Sequence, residues 1–412
     1  MRNLKTSGIF SLRFSILLIA AVLCITTTTA QQDVRQWKDY VGTSIDSLLK
    51  NDLFCTSQVG ICIYDLTADS LIYSYNERQT MRPASTEKLI TAITALDVLG
   101  AGYRLNTEIS YTGNITDGTL NGNLFCKGSA DPLITLKDIV RMAADVKTYG
   151  IDTIRGSIYF DKSVKDNSEL GEGWCWDDDN PSLSALTVNG NDIFCESFVQ
   201  ALRDTAVILD ADINFSICPD TAKIISSTSH TIMDILPRMM KESDNLHAES
   251  VFYNIAATRR NKWATAKDAA AVIDSIARRL GHRKSEYRIA DGSGLSLYNY
   301  TTPEIEISFL RHAYSKKDIY EVLYLTLPVA GLDGTLKRRM RNNAYARGNV
   351  RAKTGSLSGV SSLAGYCRAA NHHDIAFCII NQGVLRSKRA RDFQDKVCAI
   401  LCEPYEENFK KQ

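Results

Sequence analysis

Three short groups of residues carry the side chains that acyl transfer through a serine requires: Ser85-x-x-Lys88, Ser243-Asp244-Asn245 and Lys353-Thr354-Gly355. A serine hydroxyl is a poor nucleophile at its own pKa and needs a base beside it. On a helix, residues i and i+3 share a face, so Lys88 lies one turn beyond Ser85. A lysine that is partly desolvated or crowded by a second cation can be neutral and take the serine proton; Lys353 is the candidate for that cation. Ser243 could relay a proton to a leaving amine, and Asn245 could hold Lys88 or a substrate amide. Gly355 on a strand would let an extended peptide approach the backbone. Backbone N–H groups of Ser85 and Ser356 could form an oxyanion hole.

Each group is weak singly. The spacing S-x-x-K recurs at Ser47–Lys50, and S-x-N recurs at Ser74–Asn76. A solvated helix face or a turn is the ordinary explanation of either. The signal lies in the conjunction: one fixed order, each group at an element that suits it.

The elements that must position these groups are readable from periodicity. Residues 34–50 read as an amphipathic helix, and 59–66 and 71–75 as two strands. The helix carrying Ser85 and Lys88 runs to Leu96 and stops at Gly100. From about 101 to 235 short strand-like pieces alternate with turns, interrupted by helices at 136–146 and 192–202. Helical pattern returns at 232–240, 246–257, 267–280 and 303–314. Strands follow at 348–353, 359–368 and 375–381, then a last helix over 388–402. This order predicts an α+β protein: an antiparallel sheet flanked by helices, built from 31–100 plus 236–412, with 101–235 as an inserted strand-rich domain.

Composition bounds the rest. The chain has 412 residues, enough for more than one domain, and a formal net charge of +1, which gives no basic field for nucleic acid. Arg2, Lys5 and Arg13 precede an apolar run from Phe14 to Ile25 and a small-residue stretch ending at Ala30. That pattern predicts a cleaved signal peptide over 1–30, hence an exported, periplasmic protein with at most peripheral membrane association. Cys62, Cys367 and Cys378 sit in apolar strand-like runs and read as buried free thiols. No His/Cys spacing suits zinc, and Asp177-Asp178-Asp179 reads as a solvated loop, so no metal and no cofactor are expected.

The sequence resembles the class C low-molecular-mass penicillin-binding proteins, the serine-type D-alanyl-D-alanine carboxypeptidase/endopeptidase family, over nearly all of the mature chain. Arg82-Pro83-Ala84-Ser85-Thr86-x-Lys88 is similar to the family's active-serine segment. Gly122-Asn123-Leu124 with Gly128, Asp131 and Pro132, and Gly173-Trp174-x-Trp176-Asp177-Asp178, are similar to its inserted region. Ser243 to Glu249, Asp291 to Ser296, Leu327 to Leu336 and Lys353 to Leu357 complete the match.

The resemblance implies a β-lactamase/transpeptidase-like domain acting on peptidoglycan stem peptides and acylated by β-lactams as inhibitors. It implies Ser85 as nucleophile, Lys88 as base, Ser243 and Asn245 as the middle motif, and Lys353 with Thr354 as a clamp for the substrate carboxylate. The insertion is shorter than in the family's better-known members. A serine β-lactamase would share the three motifs, but the E-x-x-L-N segment of class A enzymes is absent. A non-catalytic wall-binding scaffold should have lost some motif residues, and all are present. The oligomeric state is not legible.

Overall fold

The computed structural model describes residues 36–175, 180–260 and 262–404. The signal segment 1–30, Trp176 and the three aspartates 177–179 lie outside them. Among the described residues no helix is long and apolar enough to cross a membrane.

In chain order, the chain forms helix α1 over 36–49, strands β1 (Gln58–Asp65) and β2 (Ser70–Tyr75), and helix α2 (Glu87–Val98). Next come β3 (Arg104–Thr116), β4 (Thr119–Lys127), α3 (Leu136–Thr148), β5 (Thr153–Asp161), α4 (Phe194–Asp204), β6 (Ile208–Phe215) and β7 (Lys223–Thr231). Helices α5 (Ile232–Lys241), α6 (Asn245–Ala257), α7 (Ala266–Arg279), α8 (Pro303–Tyr314) and α9 (Lys317–Thr326) follow. Strands β8 (Arg351–Leu357), β9 (Val360–Arg368), β10 (Asp374–Gln382) and helix α10 (Ser387–Cys402) close the chain.

The first sheet has the order β2-β1-β10-β9-β8, antiparallel throughout, so strands from both chain ends interleave. Period-two alternation sorts its side chains between two cores. Val59, Ile61, Ile63, Phe377 and Ile379 face α1 and α10, meeting Trp37, Ile45, Phe393 and Leu401. Cys62, Cys378, Ile380 and Tyr366 face the other way, onto Ile93 of α2, Phe252 of α6 and Phe309 of α8. Cys62, Cys367 and Cys378 are buried free thiols, as their apolar neighbours predict.

The second sheet, β6-β5-β4-β3-β7, is mixed. A tight turn with Asp117 (φ 45°) and Gly118 (φ 73°) makes β3 and β4 a hairpin. Strands β4, β5 and β6 then run parallel, connected through α3 and α4. Strand β7 pairs antiparallel with β3 and returns the chain to α5. The helices cover one face with Ile139, Met142, Phe194 and Phe198 against Leu124, Ile154 and Ile158. Thr135 and Asp138 cap α3 reciprocally.

Helix α9 is not anticipated by the sequence reading. Its N-cap is Lys316, without a capping side chain, and a polar stretch precedes it. Burial of Ile319 and Leu323 in the all-helical core makes it a helix.

Candidate active site

Ser85 stands in a single 3-10 turn, Ala84–Thr86, that leads directly into α2. The turn is strained: Ala84 has φ 51°, a left-handed conformation that costs a non-glycine residue roughly 1–2 kcal/mol. Three neighbours hold it. A Cβ on Gly294 would meet the Ala84 carbonyl oxygen at 1.8 Å, so only glycine lets that loop press against the turn. Ser362 Oγ donates to the Pro83 carbonyl (2.5 Å), and Thr86 Oγ1 donates to Glu306 Oε1 (2.6 Å). Gly355 has the same use. A Cβ there would lie 2.7 Å from the Pro83 carbonyl and 2.0 Å from Ser362 Oγ. The sequence reading assigned Gly355 to an approaching substrate; the structure gives it a packing role, seating β8 against the serine turn.

Lys88, fully buried one turn along α2, points its amine back at the serine. Its Nζ lies 3.1 Å from Ser85 Oγ, 2.8 Å from Asn245 Oδ1 and 2.7 Å from the Ser293 carbonyl oxygen. A neutral amine has two N–H bonds and one lone pair. Asn245 and Ser293 offer only acceptors, so they take the two hydrogens and the lone pair is left for the Ser85 hydroxyl. Burial lowers the Lys88 pKa to about 8, against the opposing pull of Asp291, Glu249, Asp244 and Glu87. Burial is the first cause of the Lys88 depression, and the repulsion between the two amines is felt at Lys353. Lys353 is itself fully buried, and desolvation, then the nearby Lys88, holds its amine well below the ordinary lysine range.

Lys353 on β8 donates to Ser243 Oγ (2.7 Å) and to the Thr354 carbonyl (2.8 Å). Ser243 is held with φ 63° immediately before α6, whose first residue is Asn245 and whose N-cap, Asp244, accepts from the His247 N–H at 3.0 Å. One helix start thus supplies two arms of the site, Ser243 toward Lys353 and Asn245 toward Lys88. His247 is buried with a ring nitrogen 2.9 Å from the Asp244 carboxylate, a position that supports the cap. Thr354 Oγ1 donates to Thr335 Oγ1 (2.8 Å). Ser356 is exposed near the end of β8, the last strand in the sheet order, whose outer edge is bridged at its start by Val329 against Arg351 and, among the described residues, carries no strand beyond that.

The structure thus brings Ser85, Lys88, Ser243, Asn245 and Lys353 into one hydrogen-bonded cluster, with Thr354 to Ser356 continuing along the edge strand. The other occurrences of the same spacings lie elsewhere. Ser47 is an exposed residue of α1, and Asn76 Nδ2 donates to the Val59 carbonyl in a structural turn.

Sequence reasoning missed four contributors. Ser293 acts through its carbonyl, which no side-chain pattern reveals. Glu249, fully buried, receives the Gly292 N–H on both carboxyl oxygens (3.1 Å each) and so fixes the loop that presents that carbonyl. Burial, with Asp291 nearby, raises the Glu249 pKa to about 8. Thr335 joins Thr354 at the strand edge. Glu87, buried with no partner for either oxygen among the described residues, is pushed far above the usual carboxyl range by burial and by Glu306. Asp291 accepts from Trp174 Nε1, Gly294 N, Ser296 N and Asn299 Nδ2 at 2.6–2.8 Å. It shapes the loop, as expected.

Comparison with known proteins agrees with this geometry. The chain is 26% identical to the D-alanyl-D-alanine carboxypeptidase DacB of Haemophilus influenzae over 81% of this chain and 88% of that one. It is 27% identical to the D-alanyl-D-alanine carboxypeptidase of Actinomadura sp. R39, over 82% and 80% respectively. The crystal structure of penicillin binding protein 4 from H. influenzae superposes with a TM-score of 0.78 at 24% identity, covering 86% of this chain and 97% of that one. A structure of the same protein complexed with a β-lactam gives a TM-score of 0.73 at 26% identity, with the same coverage. The model of the D-Ala-D-Ala carboxypeptidase 3 (S13) family matches residues 41–214 and 182–403, nearly all of the described chain, and to that family of serine-type hydrolases this chain belongs.

Proposed function

We propose that the chain releases terminal D-alanine from peptidoglycan stem peptides through an acyl-enzyme at Ser85, and that β-lactams acylate the same oxygen. The observation that carries this reading is the Lys88 amine, held by Asn245 and Ser293 with its third position 3.1 Å from Ser85 Oγ. The β-lactam complex of the H. influenzae protein supports the second half.

The chemistry follows from the arrangement. Lys88 Nζ takes the Ser85 proton as Oγ bonds to the penultimate D-Ala carbonyl. The backbone N–H groups of Ser85 and Ser356 are assigned to the resulting oxyanion. As the intermediate collapses the C–N bond breaks. The leaving amine of the terminal D-Ala takes a proton from the Ser243 hydroxyl, which Lys353 holds at 2.7 Å, and the proton that Lys88 took from Ser85 restores Ser243 and leaves Lys88 neutral. Water then attacks the ester, giving its proton to Lys88, and Ser85 Oγ leaves protonated. The edge of β8 receives the peptide as an added strand. Thr354 and Ser356 bind its terminal carboxylate, and Lys353 contributes charge once a substrate carboxylate restores its proton. Residues 101–235 are assigned as the inserted domain, 31–100 plus 236–412 as the catalytic one, and export through the 1–30 signal places the enzyme in the periplasm.

The test is to incubate the mature protein with a stem pentapeptide ending in D-Ala-D-Ala and to quantify free D-alanine. Release of one D-alanine per peptide by the wild type, abolished in Ser85→Ala, supports the reading. Release that survives Ser85→Ala contradicts it.

A further inference from the structure

A cavity of about 570 Å³ lies outside the catalytic cluster, within the ~300–1,000 Å³ range of small-ligand clefts. It opens at the carboxyl ends of the parallel strands β5 and β6, whose last residues Asp161 and Phe215 form part of its wall. In open parallel sheets ligands bind outside the carboxyl ends of strands. The far wall comes from the all-helical side: Trp263, in the connection after α6.

Two large, partly exposed rings line this space, with Lys162 Nζ 5.4 Å from the centre of the Phe215 ring. Trp263 is 41% exposed and Phe215 is 67% exposed. Trp263 is held there against its own backbone preference, at φ 57°, by its N–H donating to the Ser163 carbonyl (2.6 Å) and by the adjoining Lys165–Ala264 bridge. Strain at an exposed aromatic residue is not a stability device, and such outliers gather at binding sites. The charged groups of the lining are Asp161, Asp166, Glu169 and Asp192 against Lys162 and Lys165. Lys162 is engaged by Asp192 (2.9 Å) and Lys165 by two backbone carbonyls (2.6 and 2.7 Å). Carboxylates are in excess and the amines are occupied, which disfavours phosphate or carboxylate ligands. The side chains of Asn167 and Glu169 make no hydrogen bond among the described residues, which leaves an amide and a carboxylate for hydroxyl and N–H groups.

Apolar ring faces beside free uncharged and acidic hydrogen-bonding groups suit a neutral sugar, with its C–H face on the rings and its hydroxyls on the polar rim. We infer that this cavity is an exosite for the β-1,4-linked amino-sugar strand from which a stem peptide hangs. The inference rests on the proposed peptidoglycan substrate. It is also connected to the site physically: Leu183 lines the cavity and packs on Trp174, whose indole donates to Asp291 (2.8 Å) in the loop behind Lys88.

The probe is the tetramer of β-1,4-linked N-acetylglucosamine, titrated calorimetrically into the mature protein and into Trp263→Ala and Phe215→Ala. Phe215 is mostly exposed, so its variant keeps the test valid if removal of Trp263 disturbs folding. Saturable binding by the wild type, weakened about tenfold or more in each variant, is expected. In parallel, kcat/KM on a disaccharide-linked pentapeptide should fall several-fold in the variants while that on the free pentapeptide stays unchanged. No binding by the wild type, or binding and glycan preference untouched in both variants, overturns the exosite. Failure of the wild type to cleave either peptide while still binding the tetramer would overturn the peptidase reading and leave the sugar site standing.

Discussion

The Ser293 carbonyl oxygen lies 2.7 Å from Lys88 Nζ, and it is there because Glu249, 44 residues earlier, grips the neighbouring Gly292 N–H. The base at this site is aimed as much by a backbone carbonyl as by any side chain. With Asn245 it takes both hydrogens of the neutral amine, and a lone pair directed at Ser85 is what remains.

Asn245→Ala removes one of those two acceptors. Lys88 then has an unmatched buried N–H and its lone pair is free to turn from Ser85. Acylation by a β-lactam, followed as a second-order rate, should slow by roughly 10²–10³-fold, within the span of positioned base catalysis. Thermal stability should change little beside that. A slowing below tenfold would mean that Asn245 does not aim the base.

The pH dependence follows from the sign of the Lys88 shift. Burial lowers its pKa to about 8, and the deprotonated form is the base, so kcat/KM should rise tenfold per unit below pH 8 and level off above it. Glu249 as a carboxylate pulls the Lys88 pKa upward. Burial raises the Glu249 pKa to about 8 as well, so it is largely protonated along the acid limb; Glu249→Gln copies that neutral form, keeps an acceptor for the Gly292 N–H and should leave the limb where it is. A limb moved to lower pH in Glu249→Gln would show that Glu249 is ionised there. A profile flat between pH 6 and 9 would remove Lys88 as the base.

Glu306 gives a stability test independent of catalysis. Burial raises its pKa to about 7 from an ordinary 4.5, against the hydrogen bonds from Thr86 and Cys378. A carboxyl with a raised folded-state pKa contributes stability that is fully present below the unfolded value and lost as pH rises through the folded one. The wild type should therefore lose stability between about pH 4.5 and pH 7, by a few kcal/mol as an order of magnitude. Glu306→Gln, which keeps an acceptor for Thr86, should not share that loss. Denaturant midpoints of the two proteins should converge near pH 4.5 and separate toward pH 7, with the variant the more stable. Parallel curves would show that Glu306 is ionised in the fold.

The legible part of this molecule was what side-chain type and period encode. The alternation in 59–65 and 375–381 marked a sheet buried on both faces, and it proved to sort two cores. Pro303 and Thr302 marked the start of α8 to the residue. The three motifs marked side chains that meet in one hydrogen-bonded cluster, because each motif is defined by a particular side chain. Contributions made by backbone or by solvent exclusion left no such mark. The Ser293 carbonyl, the strain at Ala84 and the buried, unpartnered carboxyl of Glu87 all depend on which segments meet in space. The packing of Gly355 against the serine turn was hidden for the same reason: the sequence shows that a side chain is missing, not what lies against the gap. The parallel pairing of β4, β5 and β6 is likewise a matter of partners that period-two alternation does not identify.

The most direct test of the account is the intact mass of the mature protein after incubation with benzylpenicillin, followed over time for the wild type, Ser85→Ala and Ser47→Ala. A single stable adduct of one drug molecule, absent in Ser85→Ala and retained in Ser47→Ala, is the expected result. An adduct that persists in Ser85→Ala, or no adduct in the wild type, would contradict Ser85 as the acylated nucleophile.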